Sequence, residues 1–258
     1  MSLSDYHIHS TFSADGCDSI DQVCEQAIRT GLEEICITDH FDFEPEDLAY
    51  HQLDVTQYIA AIQSARSRYT SLSIRMGGEF CYQSSRRHEI AEKVRNTPLD
   101  YALGSVHYID GRLLLPSVCA ASPIRVWARY IEEATSLAGA GLFDVMAHLD
   151  LPKRYMPASC RVAPEAFIPV LQNLVETGTG IEINTSGFRS GLGEPLPSLA
   201  LLKVYRSMGG EVITVGSDAH QAKYVGCHIR DCLDLAKAAG FTHYARFVER
   251  RIRWVKIE

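Results

Sequence analysis

Two histidines one residue apart, His7 and His9, stand near the start of the chain in the stretch Asp5-Tyr6-His7-Ile8-His9-Ser10-Thr11-Phe12-Ser13-Ala14-Asp15. In an extended strand, alternate residues point to the same side, so both imidazoles leave the strand end together. Neutral imidazole is a common ligand of first-row divalent cations, and two at this spacing can share one ion. Taken alone the tripeptide is ordinary, since a strand end with one histidine packed and one exposed looks the same.

The ending recurs along the chain. His40 follows Thr38-Asp39, Glu79 follows Gly77-Gly78, and His107 follows Gly104-Ser105-Val106. His148 closes Asp144-Val145-Met146-Ala147, and Asp218 and His220 close the run Val215-Gly216-Ser217. With Asp15 this makes nine candidate ligands, and six of the ten histidines are among them. The other four, His51, His88, His228 and His243, fall in stretches that read as helix or loop and are expected at the surface. A divalent ion takes about three to five protein ligands, so the inventory suits two or three ions; His and carboxylate donors accept zinc, manganese or iron alike. Asp39 is expected to support a ligating histidine through its other nitrogen rather than to bind metal itself. Ser186 and Ser217 lack an accompanying Ser-His-Asp arrangement and read as turn or strand-end residues.

The elements that position these groups alternate from end to end. Apolar runs at 34–38, 73–79, 101–106, 143–147, 180–184 and 212–216 follow the opening strand as buried parallel strands. Between them, helical periodicity covers 18–30, 55–69, 87–95, 124–140, 164–178, 198–208 and 227–239. Asp18 is the expected cap of the first helix and Gly31 its terminator. A long loop is expected over 108–122, and a basic and aromatic tail, 244–257, reads as a hairpin turning near Glu249-Arg250-Arg251, with a last amphipathic helix as the alternative. Repeated strand and helix imply parallel strands with right-handed crossovers. An open sheet gathers its site at one switch point, whereas here polar residues end every strand, which favours a closed or nearly closed α/β barrel with its site at the C-terminal strand ends.

Composition narrows the class. At 258 residues the chain fits one α/β barrel domain spanning 1–258. A net charge of -7 argues against a general nucleic-acid partner, and no apolar run approaches the ~20 residues of a membrane span. The first residues have no basic and apolar pattern of a signal peptide. Eight cysteines without a paired spacing read as reduced thiols, which suggests a cytoplasmic protein and argues against a cysteine zinc site.

Taken together, the HxH opening, Thr38-Asp39-His40, Gly77-Gly78-Glu79, Gly104-Ser105-Val106-His107, Asp144-Val145-Met146-Ala147-His148-Leu149-Asp150-Leu151 and Ser217-Asp218-Ala219-His220 resemble the PHP (polymerase and histidinol phosphatase) family, in order and over nearly the whole chain. The likeness is to the stand-alone histidinol-phosphate phosphatases rather than to polymerase-attached modules. An amidohydrolase barrel also opens with HxH but adds a bridging lysine after a middle strand, and no strand here ends that way. The resemblance implies a distorted (β/α)7 TIM-like barrel with a trinuclear metal centre. It places His7, His9, Glu79 and Asp218 on one ion, Glu79 as a bridge with His107 and His148 on a second, and Asp15, His40 and His220 on a third, with Asp15 the position least fixed among relatives.

The chemistry implied is hydrolysis of a small phosphate monoester, L-histidinol phosphate in histidine biosynthesis, with other small phosphate esters or a nucleic-acid end as the alternative. A metal-stabilised module without catalysis is disfavoured because all nine ligand positions are filled. Clustered divalent ions make water nucleophilic near neutral pH and clamp phosphoryl oxygens, and Asp218 is the candidate proton carrier beside His220. A basic clamp is needed in an acidic protein; Arg154, beside Lys153, and Arg189 stand on the correct rim, and arginine suits bidentate phosphate contact. Asp42 and Glu44, in the acidic and aromatic loop 41–47, are expected to face the cationic end of the substrate.

Overall fold

The computed structural model describes residues 2–45 and 53–258. Glu46, Asp47 and His51 of the acidic loop region lie outside the described residues. Seven parallel strands pair in chain order: β1 Ser4–Ile8, β2 Glu34–Ile37, β3 Ser73–Cys81, β4 Tyr101–Ser105, β5 Val145–Met146, β6 Gly180–Asn184 and β7 Ile213–Gly216. They alternate with helices α1 Ile20–Arg29, α2 Val55–Arg68, α3 Arg87–Asn96, α4 Pro123–Ala140, α5 Ile168–Thr177, α6 Leu199–Ser207 and α7 Ile229–Ala238. The outer ring is built by helices with one apolar stripe each: Val126, Tyr130, Ala134 and Leu137 of α4 are buried, as are Ile229, Cys232, Leu233 and Ala236 of α7.

The seam between β7 and β1 closes at the C-terminal end. Asp218 N–H donates to His7 O at 2.7 Å and His9 N–H to Ala219 O at 2.9 Å. Lower down, the buried Asp5 carboxylate accepts from Ser217 N at 2.8 Å and Gly226 N at 2.9 Å. The barrel is distorted: β5 is two residues long where the apolar run predicts five, and the β1–β2 register shifts between Asp5 and Ile8. An additional two-residue strand, His40–Phe41, lies against Glu79 and Phe80 of β3.

The tail forms the expected hairpin, β8 His243–Val248 with β9 Arg251–Lys256. Glu249 and Arg250 turn it with φ of 49° and 64°, the backbone that matches the strand twist in a two-residue hairpin. It covers the N-terminal mouth of the barrel. Arg250 N–H donates to Asp100 O at 2.9 Å, and Phe247 N–H donates to Tyr6 Oη at 2.8 Å. Phe247 stacks into an interior layer with Tyr6 and Tyr101, at centroid separations of 6.4 and 5.1 Å. The bottom is therefore filled with aromatic rings and the top is left for polar groups.

Local chemistry differs from expectation in three places. The cap of α1 is Ser19, in a reciprocal box with Gln22, because the Asp18 carboxylate accepts Ala222 N–H at 2.7 Å. The stretch 108–122 holds a hairpin, Tyr108–Ile109 with Arg112–Leu113, and a short helix, Pro116–Ala121. Asp110-Gly111, with φ of 50° and 69°, makes its two-residue turn. Pro164 opens a 3-10 turn, Pro164–Phe167, before α5 begins. None of the eight cysteines forms a disulfide. Among the described residues no helix is long and apolar enough to cross a membrane.

Phe247→Ala should destabilise the protein by about 3–5 kcal/mol in denaturant unfolding, through a cavity under the barrel. A loss below about 1 kcal/mol would show that the hairpin is not part of the core.

Candidate metal centre

Every strand-end group singled out by sequence meets at the open mouth. Glu79, buried at the end of β3, is the hub. Its Oε2 lies 3.1 Å from His7 Nε2, 3.4 Å from His9 Nε2 and 3.2 Å from His40 Nδ1. Its Oε1 lies 3.1 Å from His148 Nε2 and 3.5 Å from His107 Nε2. Three donor sets form with their atoms within 4.8 Å of one another: His7, His9 and Glu79; Glu79, His107 and His148; and His9, His40 and His220. Asp218 Oδ1 stands 3.7 and 3.6 Å from the Nε2 atoms of His7 and His9. Asp15, from the loop before α1, reaches His220 Nε2 at 3.1 Å and His40 Nε2 at 3.7 Å.

The hydrogen bonds behind the rings fix which nitrogen faces inward. His7 Nδ1 lies 2.6 Å from Glu182 Oε1, so it carries the proton. Ser13 Oγ donates to Asp39 Oδ1 at 2.6 Å and therefore accepts from His9 Nδ1 at 3.1 Å. Both Nε2 atoms are then left with lone pairs, yet they face each other at 3.0 Å. His107 and His148 repeat the arrangement, with Nε2 atoms 3.2 Å apart. Opposed lone pairs beside a carboxylate are repulsive unless a cation lies among them. The donor set thus fits divalent ions, and Asp39 has the supporting role expected of it.

Charge couples the same groups: burial opposes protonation of His7, but Glu182, Glu79 and Asp218 raise it well above the ordinary imidazole range. Burial alone would raise Glu79, but the charged forms of its imidazole neighbours, His7 foremost, hold it well below the usual carboxylate range. Burial likewise opposes ionisation of Asp218, and His7, His9 and His220 hold it low. Burial pushes His107 down to about 3, so its ring is neutral and available to bind metal.

Two site residues adopt left-handed backbone, His148 at φ 24° and Asp218 at φ 54°. Such conformations cost roughly 1–3 kcal/mol each and persist only where neighbours enforce them. Glu182 Oε2 accepts His148 N–H at 2.9 Å, and Arg189 Nη2 donates to Ser217 O at 2.7 Å and to Asp218 O at 3.0 Å. Gly216 permits the close approach of β7 and β1, since a Cβ there would lie 2.4 Å from His7 Cβ and 2.3 Å from Glu182 Oε1.

Beside the cluster is a cavity of about 300 Å³, lined by Asp15, His40, Asp42, Glu79, His107, His148, Arg154, Asp218 and His220 on its polar side. Arg154 reaches in, donating from Nη2 to Ser186 Oγ and to Asp218 Oδ2, the latter at 3.4 Å, with its buried Nε unpartnered. Arg189 does not line this cavity; its guanidinium stands behind Asp218 and over the Tyr224 ring. Lys153 turns away to Asp150 at 2.8 Å. Asp42 lines the cavity, whereas Glu44 is half-buried outside it. His228 is exposed and bonds to Asp231, as suits a surface residue.

Three residues of the site were not anticipated. Glu182 orients His7 and His148, and Asn184 Nδ2 links Glu182 at 3.0 Å to Asp218 at 3.3 Å. Their signal was the alternation Gly180-Ile181-Glu182-Ile183-Asn184, which places two polar side chains on the barrel interior. Ser186, expected as a turn residue, instead bonds to Asp218 Oδ2 at 3.2 Å and to Arg154. The short helix Ser186–Arg189 folds it back over the mouth.

Residues 5–186 match the PHP domain family. A probable histidinol-phosphatase of Thermotoga maritima is 30% identical over 243 residues, covering 94% of this chain and 95% of that protein. The histidinol-phosphatase of Lactococcus lactis is 29% identical over 265 residues, covering 98% of this chain and 97% of the other. The crystal structure of the Lactococcus lactis histidinol phosphate phosphatase, complexed with zinc, L-histidinol and phosphate, superimposes with a TM-score of 0.88 at 27% identity, over 97% of this chain and 98% of that one.

Glu182→Gln should weaken metal affinity about 10–100-fold in competition with a chelator, because His7 loses its charged partner. Unchanged affinity would remove Glu182 from the site. Gly216→Ala should likewise lower bound metal per chain, measured by elemental analysis, by pushing β1 and His7 out of place; full metal content would contradict it.

Proposed function

Since the chain belongs to the PHP domain family, we propose that it is a metal-dependent phosphatase that hydrolyses L-histidinol phosphate to L-histidinol and phosphate, a step of histidine biosynthesis. The observation that carries the chemistry is the convergence of two facing histidine pairs on one buried carboxylate beside an arginine. The relatives supply the substrate. In this reading residues 1–258 act as one catalytic unit.

His7, His9, Asp15, His40, Glu79, His107, His148, Asp218 and His220 would hold two or three divalent ions, with Glu79 common to two of the donor sets. Bound there, the ions supply a nucleophile from water near neutral pH and offset charge on the phosphoryl oxygens. The chain's own groups do the rest. Arg154, half-buried beside Asp218, binds phosphate, with Asp218 Oδ2 as its carboxylate neighbour at 3.4 Å. Asp218 turns Oδ1 to the imidazoles and Oδ2 to Arg154, Asn184 and Ser186, so it is placed to take the proton of the attacking water and return it to the leaving alkoxide. Arg189 keeps the Ser217–Asp218 backbone in its left-handed turn and so positions the Asp218 carboxylate, without reaching the phosphate itself. His220 ties Asp15 to Asp218 across the third donor set. Asp42, on the cavity wall beside His40, meets the cationic end of the substrate, with Glu44 adding negative charge further out.

Metal-loaded protein should prefer L-histidinol phosphate over para-nitrophenyl phosphate and nucleotides by at least about tenfold in kcat/KM, or ~1.4 kcal/mol of transition-state discrimination. A smaller preference across a panel of phosphate esters would count against this substrate. Chelation should abolish turnover and divalent metal should restore it. Asp42→Ala should lower that preference without abolishing turnover of para-nitrophenyl phosphate, and Glu44→Ala should lower it less.

A further inference from the structure

Opposite its charged residues, the cavity has an apolar side made by Leu113, Leu114, Leu115, Leu151 and Tyr155. Leu114 and Leu151 are buried, but Leu113 is 39% and Leu115 45% exposed. Six large hydrophobic side chains are exposed among the described residues, and these two share one wall of the one cavity that contains the ligand cluster. Isolated exposed leucines are unremarkable; a pair within a binding cavity is apolar surface waiting for a ligand.

The pair is held in register with the metal centre. Leu114 N–H donates to His107 O at 2.8 Å, so the segment bearing both leucines is tied to the backbone of a proposed ligand. The tight Asp110-Gly111 turn closes the hairpin, and Asp110 is clasped by Arg125 at 2.9 Å and Arg129 at 2.8 Å from α4. Held at both ends, the wall requires little ordering when a ligand arrives. Leucine side chains offer no hydrogen bonds, so they favour a flat apolar face and discriminate by shape, while polar edges of the ligand point across to Asp15 and Asp42.

We infer that Leu113 and Leu115 form the wall on which the imidazole ring of the substrate packs, and that the hairpin Tyr108–Leu113 with its Leu115 extension sets specificity for the organic half of the phosphate ester. This rests on the substrate proposed above. The phosphate end is read by ions and Arg154, which any monoester satisfies; the ring end is read by the hairpin. A phosphate ester without a ring leaves both leucines against water and forfeits that contact.

The test compares L-histidinol phosphate with 2-aminoethyl phosphate, which keeps an ammonium and a phosphate ester but has no ring. The ratio of their kcat/KM values is measured for the full-length, metal-loaded protein and for Leu113→Ser/Leu115→Ser. The ratio should fall by about tenfold or more in the double variant, expressed mainly as a higher KM for histidinol phosphate, the size expected for losing apolar contacts in a pocket. The Leu113→Met/Leu115→Met variant, of similar apolar volume, should keep the ratio within about threefold. A wild-type protein with no preference for the ring-bearing ester would overturn the substrate assignment and the wall with it. A clear wild-type preference that the serine variant retains would overturn the wall alone, as would an equal loss in the methionine variant. Equal unfolding midpoints of the three proteins guard against a folding effect.

Discussion

The structure depends on one buried carboxylate surrounded by imidazoles. Glu79 lies within 3.5 Å of nitrogens from five histidines that come from four different strand ends. An ionised carboxylate at that depth is costly unless positive charge is close. Protonation of His7 and His40 supplies it, since their carboxylate neighbours raise both above the ordinary imidazole range, but a protonated nitrogen cannot bind a metal. The arrangement is therefore a request for cations, and the barrel is the scaffold that holds like groups together before the cations arrive.

That preorganisation has visible supports. Glu182, Asn184, Asp39 and Ser13 line up behind the inward-facing atoms and fix ring tautomers. Arg189 and Glu182 hold the two left-handed residues, His148 and Asp218, by their backbones. Gly216 lets β1 and β7 come near enough to close the seam, and Asp5 stitches the same seam from below. At the other end of the barrel, Tyr6, Tyr101 and Phe247 fill the bore. The division is physical: rings exclude water at the bottom, and charged groups converge at the top where several strands can each contribute one.

Much of this was legible because the strand period is short and its boundaries carry chemistry. The apolar runs located the seven barrel strands, and polar residues at the ends of six of them named candidate ligands. Hairpin chemistry at Glu249-Arg250 also lay within reach of the β-branched and aromatic tail. The fifth strand is shorter than its apolar run, because such a run records burial and not pairing; Val145 and Met146 form the strand, and Asp144 and Ala147 add flanking backbone bonds to Ala102 and Gly104. The cap of α1 was misread for a similar reason. Asp18 and Ser19 are both good caps, and the distant Ala222 N–H drew Asp18 away.

The sequence by itself determined the element order, the inventory of ligands and the rim on which they stand, since these follow from period, composition and the local direction of a strand. Tertiary structure decided which candidate ligands lie close enough to share an ion, because that depends on distances between strands far apart in the chain. It joined His9 to His40 and His220 as well as to His7, and it set Asp15 between His40 and His220. It also decided the division of labour between two arginines that look alike in sequence. Arg154 reaches the cavity and Arg189 stops at the backbone of Asp218, because the short helix Ser186–Arg189 turns its guanidinium behind the seam. Side-chain reach is a property of three-dimensional packing, and no spacing rule along the chain contains it.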